Sequence, residues 1–209
     1  MNRRQAGVDS QHLPPDLTRA AELVRRGGLI AYPTDTFYGL ACDPRNEQAV
    51  ARLFAAKGRA AGRASPLIGG SLEQLSHVVE FTETACTLAA AFWPGPLSLV
   101  LRSRAEVCSM AIGGLGSAAV RVPADAIARA LADAVGFCIT ATSANISGEP
   151  PVTRASAISA GLIAHLDYVL DGGELPGGAA STLVDATDAQ PRLLRAGAIA
   201  WERVLESLR

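Results

Sequence analysis

The hydrophobic positions along the chain change their period several times, and each change predicts a new element. Between residues 15 and 26 the apolar residues recur at helical spacing, which predicts a first helix ended by two glycines. A short continuous apolar run at 29–32 predicts a buried strand. A second helix is expected to begin with Asp43 as its N-cap and to continue to Lys57.

The alternation of strand and helix patterns continues to the C-terminus. It predicts an α/β fold, with a twisted mixed β-sheet flanked by helices in a single domain at 15–209, behind an N-terminal tail at 1–14. Further strands are predicted at 66–70, 97–101, 118–122, 137–141, 168–170 and 182–184, and further helices behind Ser71 and at 82–93, 125–135, 155–166 and 201–208.

Composition narrows the class of protein. Hydrophobic residues make up 49% and charged residues 19%, which excludes an intrinsically disordered chain. The net charge of −1 means that affinity for nucleic acid would need a local basic patch. No apolar run reaches the roughly 18 residues of a membrane span, so no membrane association is expected. Four cysteines without a C-x-x-C pair favour reduced thiols in a cytoplasmic protein, and the three histidines form no zinc-binding pair.

Three loops carry polar residues that are poor core material. The first, at 33–40, combines threonines, a carboxylate and a tyrosine directly after the predicted strand at 29–32. Ligands bind beyond strand ends in open α/β sheets, so this loop suits a small polar ligand. A capped turn is the alternative interpretation. The third, at 140–151, offers hydroxyls and an amide that suit phosphate, ribose or carboxylate groups, or a plain Ser/Asn turn.

The second loop, at 57–63, places three cations among glycines and alanines. Small neighbours allow the backbone to approach an anion, although an exposed basic loop is the simpler interpretation. Lys57 is the only lysine of the chain, which suggests a site that needs a compact ammonium group. The chain has no P-loop motif, no dinucleotide-binding G-x-G-x-x-G and no G-x-S-x-G, so the common nucleotide-binding motifs and a serine hydrolase are excluded.

Taken in order, eight segments resemble the YrdC-like threonylcarbamoyl-AMP synthase family. Each segment is weak by itself, but the ordered set is specific and covers the chain from about residue 20 to 199. The segments lie at 33–40 (PTDTFYGL), 57–59 (KGR), 66–67 (PL), 92–97 (FWPGPL), 119–123 (AVRVP), 143–148 (SANISG), 181–185 (STLVD) and 194–197 (LRAG).

The resemblance implies a short, single-domain YrdC-like fold around a large, positively charged cavity. It also implies formation of threonylcarbamoyl-AMP and pyrophosphate from L-threonine, bicarbonate or CO2, and ATP, with Mg²⁺ held on the nucleotide. The product would serve tRNA modification at adenosine 37 through partner proteins. Two alternatives stay open: a module that binds RNA through the same cavity, and a diverged paralogue that uses another amino acid or amine.

The resemblance also implies roles for individual residues. Lys57 and Arg59 are the expected catalytic residues, and no residue is expected to bind a metal directly. The loop at 60–64 is about two residues longer than the family pattern, and Gly69-Gly70 stands where a histidine is common. Arg63 could add a phosphate contact there, or the loop could act as a lid. The expected nucleotide-binding set is Lys57, Arg59, Ser65, Ser117, Ser143, Asn145 and Arg195, and the expected threonine-binding set is Thr34, Thr36, Arg121 and Ser181.

Overall fold

The computed structural model describes residues 15–58, 64–104 and 107–209 of the chain. The predicted N-terminal tail at 1–14 lies outside the described residues, and so do Arg59, Arg63 and most of the lengthened loop. The structure therefore bears on the sheets, the helices and most of the expected site residues.

The helices are short and mostly begin at a side-chain cap. Ser71, Thr82 and Asp125 each accept a hydrogen bond from a backbone N–H three residues ahead, as expected for N-caps worth about 1 kcal/mol. The helices are α1 (Pro15–Arg25), α2 (Glu47–Ala56), α3 (Leu72–Ser76), α4 (Glu83–Phe92), α5 (Ala126–Val135), α6 (Ala160–Ile163) and α7 (Trp201–Glu206), with a 3-10 turn at Ala155–Ala157.

The strands are also short, and they form two mixed sheets. The strands are β1 (Ile30–Tyr32), β2 (Gly39–Ala41), β3 (Leu67–Ile68), β4 (Val79–Glu80), β5 (Leu97–Ser103), β6 (Ser117–Arg121), β7 (Ile139–Thr140), β8 (Thr142–Ser143), β9 (Tyr168–Val169), β10 (Thr182–Asp185) and β11 (Arg192–Arg195). The smaller sheet has the order β8-β2-β1-β9 and the larger one the order β11-β10-β5-β6-β3-β7, with β4 paired to β5.

Two apolar clusters hold this single α/β domain together. One cluster packs α1 against α5 and joins their buried faces to residues of β1, β3 and β7. The larger cluster gathers the inner faces of β5 and β6 with α2 and α4. The arrangement confirms the predicted class of fold, and it leaves polar loop residues between the two sheets.

The structure corrects two predicted helices. The second helix begins at Asn46, whose side chain accepts from the backbone N–H of Ala49, and not at Asp43. Asp43 instead accepts from the backbone N–H of Arg45 and caps a turn before the helix. The predicted helix at 155–166 is interrupted because Ile158 is extended and Ser159 starts a new helix as the N-cap of α6.

Candidate functional site

A cavity of about 330 Å³ lies between the two sheets. The smaller sheet contributes the turn between β1 and β2 together with β8, and the larger sheet contributes β3, β5, the C-terminal end of β6 and the segment that enters β10. Strand ends that are distant in sequence therefore meet around one hollow, which is a common arrangement for ligand sites in α/β folds. Six of the residues predicted from the sequence line it: Thr34, Thr36, Arg121, Ser143, Ser181 and Arg195.

The turn after β1 is both a capped turn and part of the cavity wall. Thr34 Oγ1 donates to the carbonyl of Phe37 at 2.7 Å and accepts from the backbone N–H of Thr36 at 3.3 Å. Both threonines also line the cavity. A Cβ at Gly39 would lie 3.0 Å from the ring of Tyr32, so glycine allows β2 to pass close to this buried tyrosine. The segment at 33–40 is therefore a capped turn and can still offer polar groups to a ligand in the cavity.

Arg121, at the end of β6, forms an ion pair that bridges the two sheets. Its Nη1 donates to both carboxylate oxygens of Asp35, at 2.8 and 2.7 Å, and the two side chains are only 12% and 14% exposed. Asp35 was part of the predicted loop but had no assigned role. Its signal in the sequence is a carboxylate three residues beyond the end of an apolar strand.

A second arginine reaches the cavity from β11. Arg195 Nη2 donates to the carbonyl of Ser181 at 2.8 Å and contacts its Oγ at 3.3 Å. The hydroxyl of Ser181 lies 2.8 Å from that of Ser98, a buried residue of β5 that also lines the cavity. Sequence reasoning missed Ser98, although one serine within the apolar run LSLVL was its available signal.

Close packing holds the chain around Arg195 and Ser181 in place. A Cβ added to Gly197 would lie 2.3 Å from the carbonyl oxygen of Ala180 and 2.5 Å from the backbone nitrogen of Thr182. A side chain at this position is therefore incompatible with the observed approach of the two segments. The glycine of the LRAG segment allows β11 to lie against the chain that enters β10.

Lys57 lies next to the cavity wall rather than in its lining. It is the C-cap residue of α2 and is 3% exposed, and its ammonium donates to the carbonyls of Ser143 and Asn145 at 2.5 and 2.6 Å. The backbone N–H of Ser147 in turn donates to the carbonyl of Lys57. The only lysine of the chain therefore joins the end of α2 to the loop that carries Ser143.

Three other predicted residues do not line the cavity. Ser65 and Asn145 are buried, and within the described residues Ser65 Oγ and Asn145 Oδ1 have no hydrogen-bond partner. Asn145 Nδ2 donates to the carbonyls of Ile146 and Glu149 and closes the loop behind β8. Ser117 begins β6, four residues from Arg121 and thus about 13 Å away along the strand.

The segment after β9 is attached to the turn after β1 by Tyr38. The hydroxyl of this buried tyrosine lies 2.9 Å from Asp171 Oδ1 and 2.8 Å from the carbonyl of Gly173, and it accepts from the backbone N–H of Gly172. Burial of its hydroxyl raises the pKa of Tyr38. Hydrogen bonds from the Gly173 N–H and the Tyr38 hydroxyl lower the pKa of Asp171, so the anion of Asp171 is favoured.

The remaining side-chain chemistry bears on metals and on the redox state. Within residues 15–58, 64–104 and 107–209, no group of three or more His, Cys, Asp or Glu could hold a metal ion. All four cysteines are free thiols, and burial raises the pKa of Cys42 to about 12. In the described part of the chain, every helix is too short or too polar to span a lipid bilayer.

The fold and the cavity define an α/β protein with a cavity between two sheets that is lined by hydroxyl-bearing residues and two arginines. Residues 22–197 match the Sua5/YciO/YrdC family model, whose description is "Telomere recombination". The chain belongs to this family, and the family resemblance found in the sequence is confirmed.

Proteins with an assigned activity give the same family. The chain is 42% identical over 186 residues to a threonylcarbamoyl-AMP synthase of Pyrococcus abyssi, covering 88% of this chain and 55% of that protein. It is 37% identical over 161 residues to a protein of the same name from Xanthomonas campestris, covering 76% of this chain and 86% of that protein. The chain therefore spans about half the length of the Pyrococcus relative and most of the Xanthomonas one.

Solved structures share the fold. Pyrococcus abyssi Sua5 complexed with L-threonine superposes with a TM-score of 0.88 at 39% identity, covering 94% of this chain and 59% of that one. Escherichia coli YciO superposes with a TM-score of 0.80 at 29% identity, covering 90% and 93% of the two chains.

Proposed function

We propose that the protein is an L-threonylcarbamoyladenylate synthase, an enzyme that forms threonylcarbamoyl-AMP and pyrophosphate from L-threonine, bicarbonate or CO2, and ATP. The observation that carries the proposal is the convergence of Arg121, Arg195 and the four predicted hydroxyl-bearing residues Thr34, Thr36, Ser143 and Ser181 on one cavity. Relatives at 42% and 37% identity are named threonylcarbamoyl-AMP synthase, and a structural relative holds L-threonine.

The cavity offers suitable groups for both substrates. Arg121 presents a guanidinium that can bind the threonine carboxylate in a bidentate manner, and the hydroxyl-bearing residues Thr34, Thr36 and Ser181 line the same cavity. Arg195, which contacts Ser181, and Ser143 suit the phosphates and the nucleoside. We assign Ser65 and Asn145 to the nucleotide on the family resemblance, since both are buried outside the cavity lining.

The reaction needs few proton-transferring groups and much positioning. The free amine of threonine adds to CO2 and loses a proton, which gives a carbamate. A carbamate oxygen then attacks the α-phosphorus of ATP. The bond between this phosphorus and the oxygen that bridges it to the β-phosphate breaks, and pyrophosphate leaves with the electron pair. In such transfers orientation and neutralisation of charge supply most of the rate acceleration.

Arg59 and Lys57 carry the two charges proposed to assist this nucleotidyl transfer: Arg59 at the nucleotide, and Lys57 from behind the cavity wall, where it does not touch the ligand. Lys57 holds the loop that carries Ser143, so its charge lies directly behind a wall of the cavity. We assign Arg59 and Ser117 to the nucleotide on the family resemblance, since Arg59 lies outside the described residues and Ser117 begins β6 away from the cavity lining.

Magnesium would reach this site with the nucleotide. The described residues offer no carboxylate cluster for it, and Asp35 is already paired with Arg121. Mg²⁺ keeps several waters and commonly binds substrate phosphates, so ATP oxygens and water would supply its ligands. The bound ion would neutralise charge on the phosphates.

The cellular setting follows from the proposed product. Threonylcarbamoyl-AMP is a reactive mixed anhydride, so proteins that transfer the threonylcarbamoyl group to tRNA are the expected partners. The four free thiols favour a reducing compartment, and we propose the cytoplasm.

Pyrophosphate release from ATP tests the function. The release should require both L-threonine and bicarbonate, and mass spectrometry should identify threonylcarbamoyl-AMP. Release that does not depend on threonine, or that responds equally to other amino acids, would reject the proposal. Salt-sensitive RNA binding without any threonine-dependent turnover would point instead to the RNA-binding alternative.

A further inference from the structure

The ion pair between Asp35 and Arg121 has an uneven geometry. Both oxygens of Asp35 accept hydrogen bonds from the same nitrogen of Arg121, Nη1, at 2.8 and 2.7 Å. A guanidinium has five N–H donors in a planar fork, and the pair uses those of one terminal nitrogen only. Among the described residues, neither Nε nor Nη2 of Arg121 has a protein hydrogen-bond partner.

The donors left over form a second recognition edge. Nε and Nη2 lie side by side in the guanidinium plane and can hold a carboxylate in a bidentate manner. Arg121 lines the cavity, and Asp35 is absent from the lining although its neighbours Thr34 and Thr36 belong to it. The carboxylate therefore holds the guanidinium from behind the wall.

The pair is also held by the fold on both sides. Asp35 lies in the turn after β1 of the smaller sheet, whereas Arg121 ends β6 of the larger sheet. Thr34 fixes the turn through its bond to the Phe37 carbonyl, and the backbone N–H of Gly69 donates to the carbonyl of Arg121. Each partner thus starts from a fixed backbone, which keeps the orientation of the guanidinium constant.

We propose that Asp35 is a positioning residue for the amino-acid substrate: it binds Nη1 of Arg121 and so presents the Nε–Nη2 edge to the substrate carboxylate. The proposal rests on the proposed function and adds a residue to it. Asp35 does not touch the substrate. It prevents the arginine from rotating among the many rotamers that an unpaired long side chain would sample.

Steady-state kinetics of Asp35→Asn test the proposal. The amide keeps the shape and one acceptor oxygen but loses the charge and the second bond. We expect the KM for L-threonine to rise about tenfold, the cost of a hydrogen bond to a charged group, while the KM for ATP stays the same. By calorimetry, the variant should also discriminate less between L-threonine and L-threoninamide, which lacks the carboxylate.

The double-mutant cycle separates positioning from a structural role. Arg121→Met should raise the KM for threonine about ten- to hundredfold, and Asp35→Asn added to it should raise the KM no further. The matched control is Asp43→Asn, since Asp43 pairs with Arg45 at 2.7 Å with a side chain that is 10% exposed and lies outside the cavity lining. Neither KM should change in this control.

Each outcome decides between the two proposals. If Arg121→Met leaves the KM for threonine unchanged, the proposed site fails. If Arg121→Met raises that KM but Asp35→Asn does not, only the positioning role fails. An equal rise of the KM for threonine and ATP in Asp35→Asn, full additivity with Arg121→Met, or loss of folding in Asp35→Asn would also overturn the positioning role.

Discussion

Lys57 and Arg121 are two largely buried cations on neighbouring parts of the structure, and they are used in opposite ways. Lys57 directs its ammonium to two backbone carbonyls of the loop that carries Ser143. Arg121 is paired through one nitrogen with Asp35 and lines the cavity. Lys57 therefore shapes the wall from behind, whereas Arg121 forms part of it.

The chemistry of the two side chains explains the difference. An ammonium is a compact charge with three donors, so it can satisfy several carbonyls that converge on one point. A guanidinium spreads its charge over a plane and can hold two carboxylates on different edges. Lysine thus suits the organisation of a loop at position 57, and arginine suits recognition of an anion at position 121.

The largest effect is expected from Lys57→Met, which keeps much of the volume and removes the charge. The carbonyls of Ser143 and Asn145 would lose a charged partner, so the free energy of unfolding should fall by about 2 to 4 kcal/mol. The displaced loop should also lower kcat/KM at least about tenfold. Urea unfolding and pyrophosphate release measure the two quantities.

Arg52→Met is the matched control for Lys57→Met. Arg52 lies in the same helix, α2, but its ion pair with Asp167 is about half exposed, so its loss should cost less than about 1 kcal/mol. If Lys57→Met lowers the activity but leaves the free energy of unfolding unchanged, Lys57 does not act by holding the loop that carries Ser143, because its ammonium would then act on the ligand alone.

A smaller effect is expected from Arg121→Lys, which retains the charge but not the fork. An ammonium paired with Asp35 has no second planar edge for a substrate carboxylate, so the KM for threonine should rise about tenfold. The stability should change by less than about 1 kcal/mol, since an ion pair is still possible. An unchanged KM would show that charge alone, and not the shape of the guanidinium, recognises the amino acid.

A smaller effect again is expected from Ser98→Ala, at the part of the cavity wall where Ser98 contacts Ser181. The change removes one hydroxyl from the buried pair with Ser181. The free energy of unfolding should fall by about 1 kcal/mol, and kcat/KM should fall about fivefold, which corresponds to a similar free energy. Ser76→Ala, which removes an exposed hydroxyl in α3, should leave both quantities unchanged. If Ser98→Ala changes neither kcat/KM nor the free energy of unfolding, this hydroxyl pair is not part of the functional site.

Local sequence patterns predict the long elements well and the short strands poorly. The helix at 126–135 was expected from its apolar spacing and from Asp125 as its N-cap, and both are observed. The strand β2 begins after a turn of only six residues and is buried at all three of its positions, whereas β11 is exposed along its whole length. Neither strand therefore shows the alternation of a half-buried strand. Their place depends on pairing with distant strands, which local spacing does not encode.

The site shows the same division. Polar residues after strand ends, such as Thr36 and Ser143, could be recognised from the sequence because they interrupt apolar patterns. Lys57 donates to two backbone carbonyls, and the carboxylate that pairs with Arg121 lies 86 positions away in the chain. No local pattern identifies such contacts, so the sequence indicated the cations without indicating how each is used.

The smallest effect is expected from Asp171→Asn, at the contact between Tyr38 and the segment after β9. Hydrogen bonds from the Gly173 N–H and the Tyr38 hydroxyl lower the pKa of Asp171 below its ordinary value of 3.8. A carboxyl with a lowered pKa in the folded state adds stability above its unfolded pKa and loses it as the pH falls through the folded pKa. The wild type should therefore be slightly more stable than Asp171→Asn at pH 7, and the difference should shrink below about pH 4. Urea unfolding of both proteins between about pH 2.5 and 7 measures it. A difference that stays constant over this range would mean that the anion of Asp171 adds nothing to the attachment, and that the neutral hydrogen bonds of Tyr38 hold this segment to the turn after β1.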